Sequence, residues 1–227
     1  MFTTHKAVLI NTIKYSESAV IAKFFTREAG IVTVMCNGIR NAKKGGKMGL
    51  LKPASLCEIV VAGKPNKSMS ILKEIRNTPP LVYLSAQPEM IHFCFYVSGV
   101  VDQFAHENHD DTSLFDYVWN YIASVEEHQY PIVNLPLHFL VGALKIEGYL
   151  PYPDFNTANN QVKMADDDEL NATLIQLCTE QPIGLISETK LDAESRRGCL
   201  EYLVNSASGT LQSNRLKLVY EQIKMLY

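Results

Sequence analysis

A chain of 227 residues, 47% hydrophobic and 20% charged, has the apolar content to bury a core and is not a disordered polymer. It has no apolar run of roughly eighteen residues, which excludes a membrane-spanning helix, and its opening "MFTTHKAVLINTIKYSES" lacks the pattern of a signal peptide. The formal net charge of −3 hides an asymmetry: residues 1–80 carry 13 Lys and Arg against 4 Asp and Glu, a net of +9, and residues 81–227 carry 8 against 20, a net of −12.

The first eighty residues read as strands. "KAVLINTIK", "SAVIAKFFT", "GIVTVMCNG", "ASLCEIVVAG" and "SMSILKEIR" are short stretches rich in Val, Ile, Thr and Phe, separated by turn residues. One connection is long, from Gly38 to Pro53, and long connections are usually functional or disordered. Five strands with one long insert between the third and fourth predict a small barrel of the OB type.

"NTPPLVYLSAQP" then marks a domain boundary near residue 80, and the period changes. Met90, Cys94, Val97, Val101 and Phe104 recur at helical spacing, as do Phe115, Val118, Ile122 and Val125, then Leu137, Leu140, Val141, Leu144 and Gly148. Further helices are expected over 167–180, 188–206 and 211–226. The fold class is therefore α+β, with a barrel over 1–80 and an α-helical domain over 81–227.

Five scattered cysteines, at 36, 57, 94, 178 and 199, form neither a disulfide framework nor a zinc spacing, so a reducing cytoplasm is the expected setting. The chemistry of binding is better represented. "GIRNAKKGGKMG", residues 38–49, places Arg40, Lys43, Lys44 and Lys47 among four glycines with no acid. It fails as a nucleotide-binding P-loop, because Asn41 stands where the first glycine belongs and Met48 follows Gly46-Lys47. As a flexible cationic loop it suits a phosphate backbone. Lys14, Lys23, Lys64 and Lys67 are secondary candidates. Only Phe2, Tyr15, Phe24 and Phe25 supply aromatic rings in residues 1–80, which predicts contact with phosphates rather than bases.

Two other clusters compete. In "DQFAHENHDD", Asp102, His106 and His109 would share a face if one helix ran through them, which would suit a metal-dependent enzyme. Asp166, Asp167 and Asp168 stand where the next helix should start, and the helix dipole accounts for their charge. No convincing catalytic group is present, and no cofactor is expected.

"VLINTIKYSES", then "FFTREAG", then "NGIR" with cations behind it, then "LLKPASLCEIVV", resembles the start of the DNA recombination and repair RecO family. The matching positions are Val8, Leu9, Tyr15, Ser16, Glu17, Ser18, Thr26, Glu28, Gly30, Gly38, Arg40, Lys43, Lys44 and Pro53. The resemblance implies an OB-fold followed by helices, and a non-enzymatic role. That role would be to bind single- and double-stranded DNA, anneal complementary strands, and with RecR load RecA onto DNA covered by single-strand binding protein. Many relatives carry four zinc-binding cysteines after a Gly-Tyr-x-Pro segment. Here Gly148, Tyr149 and Pro151 are kept but no cysteine is near, so a zinc-free member is expected. The acidic, apolar-ended tail of single-strand binding protein calls for an apolar pocket rimmed by cations. In the helical half the candidates are Lys145, Arg196, Arg197, Arg215, Lys217 and Lys224. An RNA-binding barrel is the alternative within the same class.

Overall fold

The computed structural model describes residues 2–39, 47–63, 69–106, 111–150 and 166–224, by backbone alone at 47 and 166–172. The chain divides into two compact units, Met1–Gln129 and Tyr130–Tyr227.

The first unit begins with β1 (Phe2–Lys14), β2 (Val20–Thr26), β3 (Gly30–Cys36), β4 (Leu56–Ala62) and β5 (Ser70–Asn77), which close a barrel in the order β1-β2-β3-β5-β4. Every pair is antiparallel except β3 with β5, where Val34 lies opposite Ser70. This is the five-stranded OB-like barrel that the strand pattern predicts. The β2–β3 turn is fixed by Gly30, in left-handed backbone at φ 60, and by the Thr26 hydroxyl, which donates to the Gly30 carbonyl at 2.9 Å.

Strand alternation divides the side chains between two environments. On β2, Val20, Ala22 and Phe24 point into the barrel, where they meet Ala7, Leu9, Val34, Ile59 and Ile75. Their outward neighbours Ile21, Lys23 and Phe25 face the other way. On the outer side lie α1 (Tyr83–Ala86), α2 (Pro88–Phe104) and α3 (Thr112–His128). Val8, Ile10 and Phe25 are therefore buried although they do not belong to the barrel interior. Ser98, buried on α2, accepts from the Ala54 amide at 3.0 Å, which ties that helix to the barrel. The single turn α1 lies inside the proline-rich stretch, and the Glu126 carboxylate of α3 caps it, accepting from the amides of Val82, Tyr83 and Leu84 at 2.7–3.0 Å.

In the second unit, α4 (Leu135–Ile146) is followed by α5 (Asp166–Glu180), α6 (Ile183–Glu188), α7 (Ala193–Leu211) and α8 (Arg215–Ile223). Buried Leu137, Leu140, Val141 and Leu144 on α4 form its centre, with Leu200, Leu203 and Val204 of α7. Several boundaries differ from the sequence expectation. Gly148 is not on the α4 stripe; at φ 73 it ends the helix, after which the Tyr149 amide returns to the Leu144 carbonyl. The helix expected over 188–206 starts at Ala193, because the Asp192 side chain caps it by accepting from the Ser195 amide at 2.8 Å. It then runs to Leu211, where left-handed Gln212 stops it, and the last helix is shortened to Arg215–Ile223.

Candidate nucleic-acid interface

The long connection after β3 is held at both ends. Ile39 and Leu51 are buried in the barrel core, and between them Lys47–Leu50 forms a 3-10 turn. Gly38 supports the exit from β3 with φ 69. Arg40, Lys43 and Lys44, expected to contact phosphate, lie outside the described residues, as do Lys64 and Lys67 of the β4–β5 turn; Lys47 is described by its backbone only. Lys14 ends β1 and is exposed.

Lys23 is not free. It faces outward from β2, and its ammonium donates to the Asp102 carboxylate of α2. Arg27, just past β2, makes two hydrogen bonds to Asp116 of α3, Nε to Oδ1 and Nη2 to Oδ2, both at 2.8 Å. This fork raises the Arg27 pKa and lowers that of Asp116, the side-chain hydrogen bond being the main cause of each. Lys6 of β1 sits over the Trp119 ring of α3, 3.9 Å from its centre.

These contacts show that part of the counter-charge to the basic first eighty residues lies within the same chain. The first compact unit extends to Gln129, and residues 81–129 contain no Lys or Arg and eight Asp or Glu. Its balance is thus 13 against 12, a net of +1. Of these acids, Asp102 of α2 and Asp116 of α3 meet barrel cations directly. What remains is a set of cations that the helices do not engage. Lys14, Lys52, Lys73 and Arg76 are exposed, and among the described residues none makes an ion pair. Arg76 lies in register opposite Glu58 on β4, which leaves Lys14, Lys52 and Lys73 with the least local compensation. Sequence reasoning missed Lys52, and its place directly behind the glycine–lysine loop was the available signal.

Neither strand phenylalanine offers a stacking surface. Phe24 is inside the barrel, and Phe25 packs edge-to-face on Phe115 with centroids 5.4 Å apart. The Asp102–His106–His109 face is also corrected. Helix α2 ends at Phe104, with Ala105 extended, and the His106 carbonyl accepts from the Ile31 amide, so Asp102 and His106 do not share a helical turn. His109 lies outside the described residues, and Asp111 caps α3 by accepting from the Leu114 amide. Among the described residues no group of three His, Cys, Asp or Glu is placed to hold a metal.

All five cysteines are buried as free thiols, and burial pushes each up to about 12. In the second unit Arg196, 8% exposed, donates to the Leu191 carbonyl and is removed from the surface cations. Lys224 pairs with Glu221. No helix among the described residues is long and apolar enough to cross a membrane.

Residues 1–79 match the family model described as recombination protein O N terminal. Three curated relatives, each named DNA repair protein RecO, are similar over a longer stretch. That of Christiangramia forsetii is 26% identical over 150 residues, 64% of this chain and 61% of the relative. That of Azobacteroides pseudotrichonymphae is 25% identical over 146 residues, 64% and 61%. That of Porphyromonas gingivalis is 26% identical over 153 residues, 66% and 62%. The matched stretch thus spans about three fifths of those relatives' length.

Proposed function

We propose, from the match of residues 1–79 to the recombination protein O N-terminal family and from the RecO relatives, that the chain is a RecO-family, cytoplasmic DNA repair protein that works by binding rather than by catalysis. It binds single- and double-stranded DNA through phosphates and anneals complementary strands. With RecR it helps load RecA onto DNA covered by single-strand binding protein. The contacts are Arg40, Lys43, Lys44 and Lys47 of the connection after β3, with Lys52 behind them and Lys14, Lys64 and Lys67 in support.

The observation that carries this reading is the division of the barrel's cations. Those turned toward α2 and α3 are engaged by Asp102, Asp116 and Trp119, and the exposed ones outside that contact have no ion pair among the described residues. The cations left unengaged are free to displace counterions from a phosphate backbone. Lys23, engaged with Asp102, is a weaker candidate than its place on a strand suggested. For the tail of single-strand binding protein, Lys145, Arg197, Arg215 and Lys217 remain the rim candidates in the second unit.

A strand-annealing assay on the full chain tests the reading. Complementary strands, bare and then coated with single-strand binding protein, should anneal faster with the protein than without. An RNA competitor that displaces the DNA at equal concentration would turn the assignment to RNA.

A further inference from the structure

A cleft of about 450 Å³ opens in the first unit, between the segment that follows the 3-10 turn, the end of β5, and helices α1 and α2. Its size falls within the range of small-molecule sites, roughly 300–1,000 Å³. Its walls are mainly apolar, with Leu50, Leu81, Ile91 and Phe95 prominent, and no acidic side chain lines it. Glu126, which lies nearby on α3, has its carboxylate turned to the amides of α1.

Three features of the cleft need explanation. Phe95 is 50% exposed, whereas the other phenylalanines of its helix, Phe93 and Phe104, are buried. Asn77, at the end of β5, lines the cleft with a buried side-chain carbonyl oxygen that has no hydrogen-bond partner. Such a group is costly unless something donates to it. Lys52 contributes an exposed cation to the same wall.

We propose that this cleft receives one unstacked nucleobase of a single strand. Phe95 and Ile91 lie against the base, Asn77 accepts a hydrogen bond from its edge, and Lys52 meets the neighbouring phosphate. Each base presents an apolar face and at least one N–H donor, which are the two things this cleft lacks. The site belongs to the same inter-strand connection whose cations are assigned to phosphate above, so it rests on that reading and adds a base contact to it. It also gives single strands a contact that a duplex cannot make, because a paired base does not leave its stack without cost. One base held and the rest left free suits a protein that must present a strand for pairing.

The test measures affinity of the full chain for a single-stranded oligonucleotide, the same oligonucleotide with its bases replaced by abasic sites, and the corresponding duplex. Base–aromatic stacking contributes about 1–3 kcal/mol, so Phe95→Ala should weaken single-strand binding about fivefold or more. It should change duplex and abasic binding less than twofold and leave the salt slope unaltered. Phe95→Leu, which keeps the apolar volume, provides a second variant if the alanine form melts early, and should lose single-strand affinity in the same selective way. Asn77→Ala should also spare the duplex.

Wild-type protein that binds neither form of DNA defeats the phosphate reading and this one together. Wild-type binding to both forms with equal losses, or no loss, in a folded Phe95 variant overturns the base site alone. So does an acidic peptide ending in an apolar residue that binds in a Phe95-dependent way while single-strand affinity is unchanged, because the cleft then serves a protein partner.

Discussion

Arg27 and Asp116 join the barrel to α3 through two parallel hydrogen bonds of 2.8 Å, one from each side of the guanidinium fork. Both side chains are about two fifths exposed, at 42% and 43%, so solvent screens the pair. Asp116→Asn should lower stability by no more than about 1 kcal/mol, read by denaturant midpoint. The lowered Asp116 pKa sets the sign: its stabilisation is present above the ordinary carboxylate value of 3.8 and is lost as pH falls through the lower folded value. The gap between wild type and variant should therefore close in strong acid.

The same contact has a charge consequence. Asp102→Asn with Asp116→Asn releases Lys23 and Arg27 from their carboxylates. Because both side chains are turned toward the helices, the log–log salt slope on single strands should stay unchanged in the folded double variant. A slope steeper by up to about 1.4, two contacts at roughly 0.7 each, would place both cations on a face that DNA touches.

Phe25 is fully buried and meets Phe115 edge-to-face. Phe25→Ala should cost about 3–5 kcal/mol, and Phe25→Leu substantially less, measured by urea unfolding. At concentrations where the Leu variant is folded, its DNA affinity should match wild type, since no ring surface is lost to the ligand. Weaker binding by that folded variant would contradict the assignment of Phe25 to a buried contact with α3.

The barrel was legible because its strands alternate cleanly and its turn residues are explicit. Phe24 and Phe25 show the limit of that reading. Adjacent strand residues must face opposite ways, but only the presence of α3 reveals that the outer one is also buried. Likewise the net charge of residues 1–80 was visible, whereas its partial neutralisation depends on Asp102 and Asp116 meeting residues 79 and 89 positions earlier in the chain. Helix starts were less readable than helix faces. Asp192 is an adequate cap by type, yet the apolar spacing alone set the start too early. The cleft beside Lys52 had no linear signature, since its walls come from four separate segments.

His138 on α4 is largely buried, and desolvation lowers its pKa from 6.5 despite the hydrogen bond to the Gln181 carbonyl at 3.2 Å. A depressed histidine is bound neutral in the folded state, so the unfolded chain takes up the extra proton first. Stability should be full above pH 6.5 and fall as the solution is acidified below it, seen as a declining Tm between pH 7.5 and 5.5. His138→Gln should flatten that decline. A steeper decline in the variant would assign the sensitivity to other groups.

Zinc should contribute nothing to folding. The five cysteines are scattered along the chain, and none is near the Gly148-Tyr149-x-Pro151 segment. Elemental analysis of purified protein should find no stoichiometric zinc, and a chelator should leave the Tm unchanged. A near-equimolar metal content, or a melting shift on chelation, would contradict this.

The central claim is that the cationic connection after β3 grips phosphates, and the salt dependence of binding measures it most directly. Replacing Lys43, Lys44 and Lys47 together with Gln removes up to three contacts. The log–log salt slope on single strands should flatten by up to about 2, at roughly 0.7 per phosphate. Affinity should weaken to the same degree on unrelated sequences, because phosphates carry no base information. A variant with wild-type melting and an unchanged salt slope would contradict the account and move the DNA contact to other cations of the barrel, Lys14 and Lys52 first.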